Sequence, residues 1–314
     1  MKLESVCIIG GSGFVGRHIV HLLARERLRV RVPTRHRESV KGDLILLPTV
    51  DVLDADVHDP ATLERMVAGC DAVIHLVGIL HATRDAGFER VHTELPRRVI
   101  DACRRNGVRR YVHMSALHAS PDGPSAYLRS KGEAEALVKA SGLDWTIFRP
   151  SVIFGRGDSF LTMFASTLKL APALPLACPN ARFQPVWVED VARAFVQCLG
   201  DSRTIGQSYD LCGPKVYTLR ELVEYVGRVT GRQRPVIGLN DRLSYLQARM
   251  MEFSPIKVMT RDNYYSMKID SVCGCDFPEV LGFRPTAIEA VVPEYLGGQT
   301  PRARYKEFRD RAGR

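Results

Sequence analysis

The sequence lacks the apolar runs of membrane proteins, since no stretch approaches the roughly 18 consecutive apolar residues that a spanning helix needs. A strand pattern begins at Val6, so we expect no secretion signal and a cytoplasmic location. The eight cysteines contain no Cys-x-x-Cys spacing, which argues against zinc and dithiol sites. Cys273 and Cys275 are the one close pair. Because no second pair accompanies them, we predict no metal site and leave their role open.

Signals for nucleic-acid binding are also missing. The formal net charge is +9, but the basic residues are dispersed and form no aromatic–basic module of the RNA-binding type, so we expect no nucleic acid partner. The charge fits a solvated basic surface, an anionic ligand, an anionic membrane surface or an acidic partner protein. The 314 residues suffice for one large α/β domain or for a core with a smaller lobe.

A glycine-rich turn near the start is the strongest positive signal. Residues 6–9 form a short β-branched run that is typical of a buried parallel strand. Gly10, Gly13 and Gly16 follow it, and apolar residues at helical spacing follow the turn. Such a turn lets the N–H groups and partial positive charge of a helix N-terminus approach a pyrophosphate. The position between a strand and a helix therefore predicts dinucleotide binding.

Short apolar runs alternate with helical patterns through the first half of the chain. We predict strands at residues 6–9, 29–34, 50–57, 71–77, 110–114 and 144–149, and a long helix at 88–105. This alternation predicts an α/β fold of the Rossmann type, with a doubly wound parallel sheet and right-handed crossovers. We assign a nucleotide-binding core to residues 1–150, a mixed C-terminal lobe with some segments returning to the core to 151–300, and a basic tail to 301–314.

The residues after the second predicted strand bear on the choice of nucleotide. Thr34 is followed by Arg35, His36 and Arg37, and the first acid is Glu38. A carboxylate at this position would bind the ribose 2′-hydroxyl of NAD, whereas an arginine accommodates the 2′-phosphate of NADP. We therefore predict that NADP(H) is preferred, that NAD(H) is possible, and that Arg35 is the first contact. The alternative is a plain basic loop.

Candidate catalytic side chains follow the fifth predicted strand. Ser115 stands at its carboxyl end, the edge at which ligands bind in such sheets. Tyr127 and Lys131 lie one helical turn apart and so share a helix face, although this spacing alone is common by chance. His75 lies within an apolar run, so we interpret it as a core histidine rather than a ligand.

The ordered motifs together resemble a known superfamily. They are the glycine triplet, Asp56, the Tyr127–Lys131 pair, Arg149-Pro150 and the run that starts at Val188. Over roughly residues 3–235 the chain resembles the extended and atypical short-chain dehydrogenase/reductases, which are similar to NAD-dependent epimerases and dehydratases. Within them it looks most like the branch of the nucleotide-binding accessory subunit of respiratory complex I and its bacterial relatives, on the stretches 111–117, 125–135 and 261–267.

The resemblance implies a role for each matching residue. Tyr127 would be the general acid/base for hydride transfer at a carbonyl or alcohol carbon. Lys131 would hold the nicotinamide ribose and lower the pKa of the tyrosine, and Ser115 would orient the substrate. The implied cofactor contacts are Gly10, Gly13, Phe14, Val15 and Gly16 at the pyrophosphate, Asp56 and Val57 at the adenine, Leu76, Val77 and Gly78 along the cofactor, and Pro150 beside the nicotinamide.

The sequence also departs from the superfamily pattern. Ser115 aligns best with a serine at the strand end rather than with the catalytic hydroxyl, because Ala116, Leu117 and His118 follow it. His92 stands where the long helix usually has an asparagine, and its role is left open. Without a hydroxyl that polarises the substrate oxygen, Tyr127 could bind ribose and catalyse nothing.

Two functions fit these features. The first is an NADP(H)-dependent oxidoreductase acting on an unknown small or isoprenoid/quinone-like molecule. The second is a non-catalytic, NADP(H)-loaded accessory, assembly or sensor protein linked to complex I or quinone metabolism. Residues 239–259 alternate apolar and basic side chains, which suits peripheral association with the inner face of a membrane or an ordinary amphipathic helix of the lobe.

Overall fold

The computed structural model describes residues 3–44, 46–80, 87–253 and 259–297, apart from the side chains of residues 39, 41 and 43. The chain divides into two compact units. The first unit contains Met1–Pro150, Val188–Leu211 and Cys273–Arg284, and the second contains Ser151–Trp187, Cys212–Val272 and Pro285–Arg314. No helix in the described ranges has the length and apolar character needed to span a bilayer.

The first unit is built on a seven-stranded sheet in which all neighbouring strands are parallel. The strands, numbered along the chain, are β1 Ser5–Ile9, β2 Arg29–Thr34, β3 Val50–Asp54, β4 Ala72–His75, β5 Arg110–Met114, β6 Asp144–Pro150 and β11 Gln207–Leu211. The strand order is β11-β6-β5-β4-β1-β2-β3, which confirms the doubly wound Rossmann-type fold.

Helices connect these strands. They are α1 Phe14–Arg25, α2 Arg37–Leu44, α3 Pro60–Val67, α4 Leu95–Arg105, α5 Ala126–Lys139 and α7 Val188–Gly200. Side chains cap two of them. The Asp59 carboxylate accepts a hydrogen bond from Thr62 N at 2.9 Å, and Ser125 Oγ accepts one from Leu128 N at 3.1 Å. Caps of this kind satisfy first-turn N–H groups, so α3 and α5 begin at defined residues.

The strand order creates a crevice. The chain runs from β1 outward to β2 and β3, then returns to β4 on the other side of β1. Loops that leave neighbouring carboxyl ends in opposite directions open a crevice there. The sheet buries Ile8, Val73, Val112 and Ile147, each fully covered. A rigid, apolar sheet therefore fixes the loops at the carboxyl ends of β1 and β4.

The second unit is mostly helical and has its own core, which includes Phe154, Leu161, Leu222, Val226 and Val292. Its helices are α6 Phe160–Leu170, α8 Leu219–Val229, α9 Asp241–Met251, α10 Arg261–Ser266 and α11 Ile288–Leu296. Its strands pair in twos as β7 Ile153–Phe154 with β10 Val186–Trp187, β8 Leu174–Leu176 with β13 Val236–Gly238, and β9 Arg182–Phe183 with β12 Tyr217–Thr218.

Two predicted elements differ from the structure. The predicted helix at 88–105 is a π-helical segment, Glu89–Glu94, followed by α4. The third strand ends at Asp54 rather than near residue 57, because Asp56 Oδ1 accepts a hydrogen bond from His58 N at 3.0 Å and closes a turn. The close cysteine pair does not act as a pair, since Cys273 is disulfide-bonded, as is Cys212, while Cys275 is a free thiol.

Candidate functional site

The glycine turn at the carboxyl end of β1 is shaped for a close approach. Gly10 has φ +93°, a conformation that side chains disfavour. A Cβ on Gly16 would overlap the Gly10 carbonyl oxygen and the Gly11 backbone, so α1 can pack this closely only with glycine. Gly13 is the N-cap of α1 and has no side chain to occupy the first-turn N–H groups. These groups fit the pyrophosphate of a dinucleotide.

The turn after β4 lies beside the glycine turn. Leu76 N donates to Ile9 O at 2.8 Å, which extends the pairing of the two strands. A Cβ on Gly10 would lie 3.1 Å from Val77 Cγ2, and one on Gly78 would lie 3.1 Å from Lys131 Nζ. The structure therefore brings together the lysine of α5 and the two turns that are predicted to line the cofactor.

Tyr127 and Lys131 lie on α5, at the carboxyl edge of the sheet. Lys131 is 4% exposed, and its Nζ donates to Met114 O at 3.0 Å. Burial lowers the pKa of Lys131 to about 8, with Glu135 acting in the opposite sense. Burial raises the pKa of Tyr127 to about 12. The prediction that this pKa is lowered is therefore wrong, because burial of the phenol disfavours its charged form and raises the pKa.

Ser115 takes the position of a strand-end serine. Its N–H donates to Phe148 O at 2.8 Å, so it continues the pairing of β5 with β6, and its side chain is 3% exposed. Burial favours a raised pKa for Glu135, but the hydrogen bonds and the charge of Arg149 outweigh it and lower the pKa. Glu135 and Arg149 form an ion pair with an Nε–Oε1 distance of 2.7 Å, whereas the buried Ser115 Oγ has no hydrogen-bond partner among the described residues.

The edge of the crevice beside the turns that follow β2 and β3 is basic. Arg35 is exposed directly after β2. Burial and then Arg90 lower the pKa of His58, and Arg35 and Arg98 add to this effect while Asp56 opposes it. Several guanidinium groups therefore lie within electrostatic reach of the turn that follows β3. Such a cluster matches the charge of a phosphate.

Two further predicted contacts are Val57 and Pro150. Val57 packs against the core cluster of the first unit. Pro150 is the last residue of β6, and its carbonyl accepts a hydrogen bond from Leu117 N at 3.1 Å.

His75 is 1% exposed and its Nδ1 lies 3.0 Å from Tyr111 Oη, which confirms its interpretation as a core histidine. Within the described ranges, no group of three or more His, Cys, Asp or Glu side chains could hold a metal ion.

The sequence did not reveal two residues that support α5. Ser130 is 5% exposed, and its Oγ donates to Tyr127 O at 2.9 Å. A Cβ on Gly132 would overlap the backbone of Ser120 and Pro121, so the helix packs directly on the preceding loop. The sequence does contain a signal for this packing. A small polar residue and a glycine stand on either side of Lys131 within a predicted helix.

Comparisons with known proteins agree with this geometry. A family model described as NAD(P)H-binding matches residues 10–162. The chain is 32% identical to NADH dehydrogenase [ubiquinone] 1 alpha subcomplex subunit 9 of Mus musculus, over 92% of this chain and 78% of that protein. It is 34% identical to a ceramide reductase of Caulobacter vibrioides, over 61% of this chain and 59% of that one.

A solved structure shows the same fold. A nucleoside-diphosphate-sugar epimerase from Staphylococcus aureus superposes with a TM-score of 0.72 at 17% identity, covering 91% of this chain and 98% of that chain. Sequence relatives and fold thus agree with the resemblance found in the motifs. The chain belongs to the NAD(P)H-binding extended and atypical short-chain dehydrogenase/reductases, in the branch that includes alpha subcomplex subunit 9 of mitochondrial NADH dehydrogenase.

Proposed function

We propose that this protein is an NADP(H)-dependent oxidoreductase that acts on a small or isoprenoid/quinone-like molecule. The observation that supports it most is the placement of Tyr127 and Lys131. Both lie on α5, and Lys131 Nζ lies beside Gly78, next to the glycine turn. The names of two relatives, a ceramide reductase and an NAD(P)H azoreductase, support a reductase.

The residues of this chain suit proton transfer during reduction. NADP(H), when bound, would supply or accept the hydride. Lys131, with a pKa of about 8, is charged at neutral pH and can donate to the ribose. Tyr127, with a pKa of about 12, keeps its proton and can donate it to a substrate oxygen that develops negative charge. The protonated phenol favours the direction of carbonyl or quinone reduction.

We infer a preference for NADP(H) from the basic end of the crevice. The 2′-phosphate adds negative charge at the ribose, where the turn after β2 carries Arg35. The electrostatic effect of Arg35, Arg90 and Arg98 on His58 supports a local positive potential. NAD(H) lacks this phosphate and would gain less from the positive potential of this turn.

Loss of turnover in Tyr127→Phe tests the enzyme proposal. We expect the purified protein to oxidise NADPH with a carbonyl or quinone substrate, and the variant to lose about 100-fold in kcat because the proton donor is gone. The affinity for NADPH should change little, since the phenyl ring remains. Initial rates by absorbance and calorimetric titration separate the two effects. An active Tyr127→Phe variant would refute the role of the phenol.

A second candidate is a non-catalytic, NADP(H)-loaded accessory or sensor protein. Ser115 is 3% exposed and its Oγ is buried, which favours this candidate because Ala116, Leu117 and His118 follow it and none of them has a hydroxyl that could polarise a substrate. The relatives named as subunits of NADH dehydrogenase support association with a respiratory complex. A place in the cytoplasm, at the inner face of the membrane, would suit this role.

The surface of α9 supports the peripheral association. Leu243, Leu246 and Met250 are 47%, 49% and 66% exposed, and their spacing places them on one helix face. Arg242 and Arg249 are also exposed. Exposed apolar side chains with basic neighbours are typical of helices that lie on an anionic bilayer, so we propose such a surface as the occupant of this face.

A further inference from the structure

His92 occupies an unusual position beside α5. It is 1% exposed and lies in the π-helical segment Glu89–Glu94, a backbone form that is rare and is found frequently at functional sites. Its ring lies 5.6 Å from the ring of Tyr127 in a T-shaped contact and 5.6 Å from that of Phe88 in a stacked one. The widened helical turn thus directs a histidine against the candidate acid/base.

The hydrogen bonds of His92 assign its tautomer. Ile79 N donates to Nε2 at 2.9 Å, so Nε2 carries no proton. The proton is on Nδ1, which lies 2.9 Å from Ser130 Oγ and donates to it. Ser130 Oγ in turn donates to Tyr127 O. These hydrogen bonds form a continuous series from Ile79 through His92 and Ser130 to Tyr127, and each donor in it has one acceptor.

The environment keeps this ring neutral. Burial, and then the charges of Lys131 and His75, lower the pKa of His92 to about 2. A protonated ring would place a proton on Nε2, where Ile79 N already donates, and would oppose Lys131. The ring therefore serves as one acceptor and one donor at neutral pH, and it does not act as an acid or base.

The hydrogen bonds through His92 connect the two parts of the candidate site. Ile79 directly follows Gly78 in the cofactor-lining turn, and Ser130 directly precedes Lys131. A Cβ on Gly78 would lie 3.3 Å from His92 Nε2 and 3.1 Å from Lys131 Nζ. We propose that His92 is a positioning residue that fixes the turn at Gly78 against the helix face of Tyr127 and Lys131. This inference rests on the proposed function, in which the nucleotide lies along that turn.

The test compares three variants of the full chain. His92→Phe keeps an aromatic ring and removes both hydrogen bonds, whereas His92→Gln retains one acceptor and one donor. His75→Phe changes an equally buried histidine whose bond goes to Tyr111. Amide hydrogen exchange reports on Ile79, and calorimetry reports the Kd for NADP⁺.

We expect His92→Phe to accelerate exchange of the Ile79 amide and to raise the Kd for NADP⁺, each about tenfold, because a buried donor loses its acceptor. His92→Gln should restore most of both values, and His75→Phe should leave both near wild type. Unchanged Ile79 exchange in His92→Phe, an unchanged Kd, or an equal effect of His75→Phe would overturn the proposal.

Measurements on the wild type keep the inference testable if His92→Phe does not fold. NMR of the ring nitrogens should show the Nδ1–H tautomer with no titration between about pH 5 and 8, and a titrating or Nε2–H ring would overturn the proposal. If the wild type bound no NADP(H), the proposed function would fail. The effect of Ser130→Ala on Ile79 exchange would then decide whether the hydrogen-bonded chain holds the turn.

Discussion

Burial acts in opposite directions on the two central side chains. It raises the pKa of Tyr127 to about 12 and lowers that of Lys131 to about 8, since desolvation favours the neutral form of each. The sequence identified both residues but not these shifts, because burial depends on packing of α5 against the sheet. At neutral pH the result is a protonated phenol beside a charged ammonium group, the pair that a proton-donating reductase needs.

The buried charge of Lys131 has a cost that can be measured. Since the pKa falls from its ordinary value of 10.5 to about 8 on folding, the charged form destabilises the folded state by about 3 kcal/mol at pH 7. Lys131→Met should therefore raise the free energy of unfolding at pH 7 by about 2 kcal/mol, after loss of the hydrogen bond to Met114 O.

The effect of Lys131→Met on stability depends on pH. Below about pH 8 both folded and unfolded lysine are charged, so the full difference is present. Between about pH 8 and 10.5 the folded lysine is neutral and the unfolded one still binds a proton, so the difference shrinks. Urea denaturation at several pH values measures this. A variant less stable than wild type at pH 7 would contradict the account.

At the scale of single elements, β2 and β5 match their predicted ranges, 29–34 and 110–114. The predicted continuous α-helix at 88–105 is interrupted at Pro96. Proline has no N–H for the bond to the carbonyl four residues earlier, and its ring crowds that carbonyl. The helix widens just before it, where Leu95 N donates to Arg90 O, five residues back. Pro96 in the sequence signals this distortion, although not the partners that His92 finds.

The exposed face of α9 leads to a prediction on membrane binding. Leu246→Glu should reduce binding to vesicles rich in phosphatidylglycerol about tenfold, because one apolar side chain no longer leaves water and a negative charge is added. Leu170→Glu is the matched control, since Leu170 is 84% exposed at the end of α6. Vesicle co-sedimentation measures both variants. Equal losses, or no binding by the wild type, would refute the membrane surface.

At the scale of the whole molecule, the sequence predicted the sheet but not its last strand. Six strands come from apolar runs that alternate with helices. The seventh, β11, is Gln-Ser-Tyr-Asp-Leu, and only Leu211 in it is buried. A polar edge strand has no apolar period of its own, and its pairing with β6 depends on residues far away in the chain. Local patterns therefore could not place it.

The candidate site shows the same limit. The glycine turn, Tyr127 and Lys131 were found because each motif is short and local. The chain of hydrogen bonds through His92 joins residues separated by 13 and 38 positions, so only the folded chain brings them together. The local sequence motifs therefore predicted the candidate site residues. They could not predict the long-range contacts that orient the side chains of these residues.

A calorimetric titration with NADPH and NADH measures whether this protein binds a dinucleotide and which of the two it prefers. We expect NADPH to bind at least about tenfold more tightly, because a charged phosphate meets the arginines near Arg35. Arg35→Ser should remove most of that difference and leave NADH affinity unchanged. Equal affinities would contradict the NADP(H) preference, and no binding of either nucleotide would contradict the account as a whole.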